Sequence, residues 1–226
     1  MQEEPFDDWR MKQADMGAYL DWIREATELA APHGLAVKAG LECEWFPGIE
    51  PWTDHLQSLY AWDYLIGSVH YLGEKEEFDN PYKMDFWNTT DVEDAWEQYW
   101  KRFRDMAASG LFQIMGHADL IKKFGFRPGG DLRRYYEPAL EAISRSGACL
   151  EINTAGWHNK CAEQYPDELF LRLAAEMDIP LTISSDAHAP ENIGRDFDRA
   201  AELARRAGFR QLASFDSGSM LLHPLN

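Results

Sequence analysis

Nothing in this 226-residue sequence approaches the roughly 18 consecutive apolar residues that would span a bilayer. The opening residues do not read as a leader either. The opening MQEEPFDDWR is acidic where a signal peptide is basic and then apolar, which makes the cytoplasm the expected location. Cysteine is scarce: Cys43, Cys149 and Cys161 are odd in number and show no CxxC spacing, which excludes a disulfide framework and a zinc ribbon. Cys43 and Cys149 lie in apolar runs and read as small core residues. Basic charge is in short supply, with 22 Lys+Arg against 39 Asp+Glu and a net charge of -17. Such a surface repels polyanions and argues against a general nucleic-acid binder. A small phosphorylated ligand remains open, because bound divalent cations reverse the local field. No low-complexity tract, internal repeat, P-loop, Rossmann fingerprint or Ser-His-Asp order is present. What is there is ordinary globular material, 45% hydrophobic and 27% charged, and residues 1–226 are expected to form one domain.

Apolar periodicity sets out an alternation of strands and helices. Residues 11–31 carry Met16, Tyr19, Leu20, Ile23, Ala26, Leu29 and Ala30 at three-and-four spacing, an amphipathic helix closed by Pro32 and Gly34. Strands are expected in LAVKAGLECEWF (35–46), over residues 64–70, in LFQIMGH (111–117), in ACLEINT (148–154) and in LTISSDAH (181–188), with QLASF (211–215) a candidate sixth. Helices are expected over 91–109 between Asp91 and Gly110, over 133–146 ending at Gly147, over 167–178 and over 191–208. Strands alternating with such helices imply parallel βαβ units and an α/β fold.

Four apolar runs end on a metal-ligand side chain: AVKAGLE at Glu42, YLIGSVH at His70, LFQIMGH at His117, and PLTISSDAH at Asp186 and His188. Delivering carboxylates and imidazoles at the C-terminal mouth of successive strands is how barrels build sites, so this spread favours a barrel over an open sheet. Uncharged Ala39, Gly40 and Leu41 precede Glu42, so its carboxylate would be desolvated unless it found a cation. Glu44, two residues on, shares the face of Glu42 and reads equally as part of the site or as a solvated strand end. Gly67, shortly before His70, and Gly116, beside His117, would let another group approach the backbone closely. His33 and His223 sit beside prolines and read as solvated, and His55 as surface, whereas His158 in the NTAGWHNK loop is a candidate substrate contact. The N/O donor set suits Zn, Mn or Fe rather than a thiolate site, with Glu42 the natural bridge between two ions. Such clusters lower the pKa of water and clamp a phosphoryl group.

At this point the sequence resembles the histidinol-phosphatase branch of the polymerase-and-histidinol-phosphatase (PHP) family. The matching pieces, in order, are WRM (9–11), GLECEWFP (40–47), IGSVHYL (66–72), GHADLIKKF (116–124), LEINTAGW (150–157), QYPDELF (164–170) and SSDAHAPENIG (184–194). The resemblance implies a distorted (βα)7 barrel, TIM-like, whose mouth holds more than one divalent metal ion. It implies hydrolysis of L-histidinol phosphate to L-histidinol and phosphate in histidine biosynthesis. Carried over by position, Glu42 is the bridging carboxylate, His70 and His117 complete one metal site, Asp186 joins Glu42 on a second ion, and His188 serves a third. Lys160 and Arg195 are the candidate phosphate contacts; Lys122 and Lys123 read equally as surface lysines.

Members of that family also open with a strand ending in His-x-His and a second strand ending in Asp-His. This sequence shows no His-x-His and no strand ending in Asp-His, and residues 1–8 offer no strand. The expectation is an N-terminally shortened member, lacking one or two βα units, with exposed sheet edges and apolar helix faces. One well-formed site, Glu42–His70–His117, is then expected, with a second, weaker one through Asp186. The alternatives are a PHP phosphoesterase of another substrate and an inactive module that pairs its edges with another chain.

Overall fold

The computed structural model describes residues 10–73 and 76–225. Trp9 and residues 1–8, on which the absence of an opening strand was expected, lie outside the described residues. The chain runs through α1 (Met16–Ala30), β1 (Gly40–Glu44), α2 (Glu50–Leu59), β2 (Tyr64–Ser68), α3 (Asp85–Thr89), α4 (Val92–Ser109) and β3 (Ile114–Met115). It continues through α5 (Arg133–Ser146), β4 (Cys149–Asn153), α6 (Glu168–Glu176), β5 (Leu181–Ser184), α7 (Phe197–Ala207), β6 (Gln211–Asp216) and β7 (Ser219–Pro224).

The helices that the periodicity marks have local reasons to start and stop. The Asp91 carboxylate accepts the N–H groups of Glu93 and Asp94 at 2.8 and 3.2 Å and caps α4, while Gly110 closes it in the left-handed conformation at φ 68°. Asp167 caps α6 through the Phe170 N–H at 3.0 Å. Between these caps α4 buries Trp96, Tyr99, Trp100, Phe103 and Met106 along one stripe. That stripe meets Tyr136 of α5 and Phe170 of α6, with the Trp100 and Phe170 rings stacked at 5.4 Å. The other side of this core is the sheet, where every residue of β4 is buried, as in a strand covered on both faces.

Strands β1 to β5 form one parallel sheet in sequential order, with Glu42 opposite Ile66, Ile66 opposite Ile114 and Ile114 opposite Cys149. Doubly wound sheets reverse their order at a switch point; the wall of a (βα) barrel does not. The order therefore agrees with the expected barrel class, and β1 and β5 are the edges of the sheet among the described residues. α1 lies beside β1, where the Tyr19 hydroxyl donates to Gly40 O at 2.6 Å. Its apolar stripe is narrower than the sequence suggests. Met16, Tyr19, Leu20 and Ile23 pack against the core, but Leu29 and neighbouring Trp22 are each 68% exposed.

Four expectations change. The third strand is two residues long because Gly116 and His117 turn out of the sheet, His117 at φ 21°. The helix expected over 191–208 begins only at Phe197, since Gly194 and Asp196 take left-handed angles of 72° and 61° after a short 3-10 turn. QLASF forms a strand, but β6 pairs antiparallel with β7 rather than extending the parallel sheet. The two-residue loop Ser217-Gly218, with positive φ at both positions, makes the tight turn that joins them. His223 therefore lies in a strand, where its Nε2 meets Ser214 Oγ at 2.7 Å. The hairpin presses Ala213 and Phe215 against Ile114 and Cys149, so Cys149 is a core residue, as is buried Cys43.

Candidate metal centre

The two-residue period of β1 puts Glu42 and Glu44 on the same face, with Cys43 buried on the other. The neighbouring strands then bring up hydrogen-bonding partners. Glu42 Oε1 accepts the Ser68 hydroxyl at 2.6 Å and lies 2.8 Å from His117 Nε2 and 3.7 Å from His70 Nε2. Ligand atoms of Glu42, His70 and His117 all fall within 4.8 Å of one another, in the one such group among the described residues. Gly116 permits the expected close approach, since an added Cβ would sit 2.7 Å from Ser68 Oγ and 2.8 Å from Ile66 Cγ2. No side chain fits there, so the turn that presents His117 can press onto β2.

Glu44 settles on the site side of its two readings. Its Oε1 accepts the His70 backbone N–H at 2.9 Å and its Oε2 meets His70 Nδ1 at 2.6 Å. With Nδ1 held, Nε2 is the ring nitrogen turned toward Glu42, the arrangement by which a carboxylate orients a metal-binding imidazole. Burial is the reverse of what the sequence suggests: the Glu44 side chain is 7% exposed and that of Glu42 40%. Glu42 opens to the mouth of the site and Glu44 is sealed beneath it.

The charges are strongly coupled. The protein atoms that line the mouth would by themselves raise the Glu42 carboxyl, but the hydrogen bond and charge of His117, the charge of His70 and the Ser68 hydroxyl hold it well below the usual range. Burial opposes a charged His70 as well, yet Glu44, with Asp79 and Glu42 adding, raises it to about 10. His117 is raised in the same way, Glu42 outweighing burial. His70 thus keeps a proton where a cation would otherwise balance the carboxylates, and Glu42 shifts His117 in the same direction. Metal uptake at neutral pH must displace the His70 proton, so binding is expected to release at least about one proton and to tighten about tenfold per pH unit between roughly pH 6 and 9. Calorimetry in two buffers of different ionisation enthalpy reads this directly; heats independent of the buffer would contradict it.

The remaining expected residues are not part of this group. Asp186 lies beyond the end of β5 at φ 48°, with its Oδ2 3.2 Å from Asn153 Nδ2. His188 is 83% exposed, and its Nδ1 meets Asp186 O at 3.0 Å. His158 Nε2 meets Asp196 Oδ2 at 2.6 Å. Lys160 is exposed, with Nζ 5.7 Å from the Phe124 ring. Arg195 is half-buried, and its Nε is a buried donor with no hydrogen-bond partner. Neither lysine of the Lys122-Lys123 pair is a simple surface residue. Lys122 is fully buried, with Nζ 2.8 Å from Asp119 Oδ2, and Lys123 pairs with Asp79 at 3.0 Å.

Glu151 and Asn153 of β4 are participants that strand-end reasoning passes over. Glu151 Oε2 accepts the His117 N–H at 2.6 Å and lies 3.2 Å from Asn153 Nδ2, and both side chains are buried. The available signal is a carboxylate in the middle of ACLEINT, an apolar run buried on both faces, where an unpaired charge is costly.

A family model of the PHP domain matches residues 12–155. A "probable histidinol-phosphatase" of Deinococcus radiodurans is 38% identical over 202 residues, which cover 89% of this chain and 76% of that protein. A histidinol-phosphatase of Bacillus subtilis is 25% identical over 217 residues, covering 88% and 80%. Among solved structures, the histidinol phosphate phosphatase of Lactococcus lactis, complexed with Zn, L-histidinol and phosphate, has a TM-score of 0.75 at 22% identity over 89% of this chain and 79% of that one. That likeness shows that the sheet and its helices are arranged as in the fold of that enzyme.

Proposed function

The chain belongs to the PHP domain family, and on that premise we propose that it is a metal-dependent phosphomonoesterase that hydrolyses L-histidinol phosphate to L-histidinol and phosphate. The observation that carries the reading is the convergence of three side chains from successive parallel strands, Glu42 within β1 and His70 and His117 just beyond the ends of β2 and β3. The donors fit a divalent cation of the Zn, Mn or Fe kind: one carboxylate oxygen and two imidazoles, with one imidazole already oriented by Glu44. A cation there would supply an activated water and neutralise charge on the phosphoryl oxygens.

The residues of the chain have distinct parts in this reading. Glu42 and His117 face each other across the mouth as ligands, and the Ser68 hydroxyl fixes the Glu42 carboxylate between them. Asp186 with Glu42 would hold a second ion, and His188 on the rim a third. Arg195 is the better phosphate donor, because its buried Nε has a bond to make. Lys160 adds positive charge at the rim, while His158 acts through Asp196, which it already engages. The negative surface disfavours polynucleotides, and no described helix is long and apolar enough to cross a membrane. Both fit a cytoplasmic enzyme of histidine biosynthesis. One apolar cluster from Ala39 to Phe209 supports treating the chain as one domain.

Replacing Glu44 with Gln lets His70 give up its proton more readily, but the lost orientation and basicity of that imidazole are expected to outweigh this and to weaken metal binding about 10–100-fold while Glu42, His70 and His117 stay in place. Equilibrium dialysis against zinc checks this; unchanged affinity would remove Glu44 from the site. The function itself is tested by comparing kcat/KM of metal-reconstituted protein for histidinol phosphate, an aryl phosphate and a short oligonucleotide. Histidinol phosphate is expected to be preferred. A preference for either of the others would overturn the substrate assignment.

A further inference from the structure

Two of the proposed ligands sit on strained backbone, and both are tied to the same pair of side chains. His117 at φ 21° and Asp186 at φ 48° are non-glycine residues in the left-handed region, which side-chain-bearing residues seldom adopt without support. They follow different strands, β3 and β5. Strand β4 runs between those two in the sheet, and the sequence puts no metal ligand at its end.

What β4 carries instead is Glu151-x-Asn153, two polar side chains on one strand face, 3% and 1% exposed. Glu151 Oε2 accepts the His117 N–H at 2.6 Å. The Asn153 amide has two N–H bonds, and its Nδ2 lies 3.2 Å from Glu151 Oε2 and 3.2 Å from Asp186 Oδ2. Its orientation is fixed by the other end, where Oδ1 accepts the Ala155 N–H at 3.0 Å. Turning the amide over would set its oxygen against two carboxylates and its N–H bonds against a donor. The Asn153 backbone is pinned as well, exchanging N–H···O bonds with Tyr165 at 2.7 and 3.1 Å. An unbroken chain therefore runs from the His117 N–H through Glu151 and Asn153 to the Asp186 carboxylate.

We infer that Glu151 and Asn153 are positioning residues that yoke the His117 and Asp186 sides of the mouth, so that both ligands are held in place before a cation arrives. The inference rests on the metal-centre reading above and deepens it. An asparagine suits the middle position because only a neutral double donor satisfies two carboxylates at once. An aspartate there would add a third negative charge, and an alanine would release Asp186.

The test is a Co²⁺ titration of the full chain, followed by the visible absorption of the bound ion, on the parent and on N153A, E151A and E151Q. Thermal unfolding of each metal-free protein is measured in parallel. N153A and E151A are expected to weaken cobalt binding about 10–100-fold and to change the absorption band, while unfolding moves little. E151Q, which keeps an oxygen for the His117 N–H, is expected to recover most of the affinity. The double variant N153A/E151A is expected to lose less than the product of the single losses, because the two act as one chain. If E151A does not fold, N153A and E151Q decide the matter. Parent-like affinity and spectrum in N153A would overturn the inference and leave the metal centre standing. A parent that binds no cobalt would overturn both.

Discussion

Replacing Glu42 with Gln is expected to lower zinc affinity by more than about 100-fold and to bring phosphate release to background, since even the loss of an outer partner of a ligand costs about 10–100-fold. The substitution preserves volume and leaves Ser68 a hydrogen-bond acceptor, so packing does not account for the loss. What it removes is the charge on which the group depends. His117 lies 2.8 Å from Glu42 and is raised largely by it, and Glu42 also contributes to the shift at His70. Without that carboxylate both imidazoles lose protons more readily, which by itself would favour metal. The expectation is that the lost anionic ligand outweighs the easier deprotonation. A zinc titration with parallel assays of phosphate release checks this; parent-like affinity in E42Q would assign the ion to another site.

Replacing Lys122 with Met is expected to cost about 3–5 kcal/mol, the cost of leaving a buried charge without its partner. Unfolding would then come roughly 6–20 °C lower for a chain of this size. Lys122 and Asp119 are both fully buried, and burial pushes Asp119 up to about 7 against the pull of Lys122. Asp119 Oδ2 also accepts the Asp167 N–H at 2.9 Å, so the pair ties the turn after His117 to the start of α6. The sign of the pH dependence follows. An aspartate whose pKa is higher folded than unfolded binds more protons in the native state, so its contribution lowers stability as pH rises from about 4 to about 7. Removing Lys122 raises that pKa further and extends the fall beyond pH 7. The deficit of K122M should therefore be larger at pH 8 than at pH 5.5, and adding D119N should recover much of it. Melting curves at the two pH values test this; a deficit independent of pH, or one that D119N deepens, would contradict it.

The long amphipathic segments of the sequence translate almost directly into structure, because α4 carries an apolar stripe, the Asp91 cap and a closing glycine that all agree, and α5 a stripe closed by Gly147. Legibility fails where tertiary contacts decide. The third strand shrinks to Ile114–Met115 because the turn at Gly116 and His117 is set by packing on β2 and by the Glu151 carboxylate, neither of which is local. The start of α7 moves because Gly194 and Asp196 adopt left-handed angles inside an otherwise helix-like pattern. The site follows the same division. Glu42, His70 and His117 announce themselves as candidate ligands, since each follows an apolar run, although β1 runs on past Glu42 to Glu44. Glu44 and Glu151 do not, because their roles depend on partners 26 and 34 residues away in the chain, and Lys122 does not, because tertiary packing buries it with Asp119 although that partner is only three residues away. A carboxylate within a buried strand shows only that a partner exists, and the fold alone identifies it.

The metal centre requires side chains carried by successive parallel strands, Glu42, His70 and His117, to converge on one ion. An anomalous difference map collected at the zinc edge from crystals of zinc-loaded protein tests it most directly. The strongest peak is expected among Glu42, His70 and His117, with His70 Nδ1 still held by Glu44. A protein that carries zinc but shows its peak elsewhere, with those three side chains bonded only to one another, would contradict it.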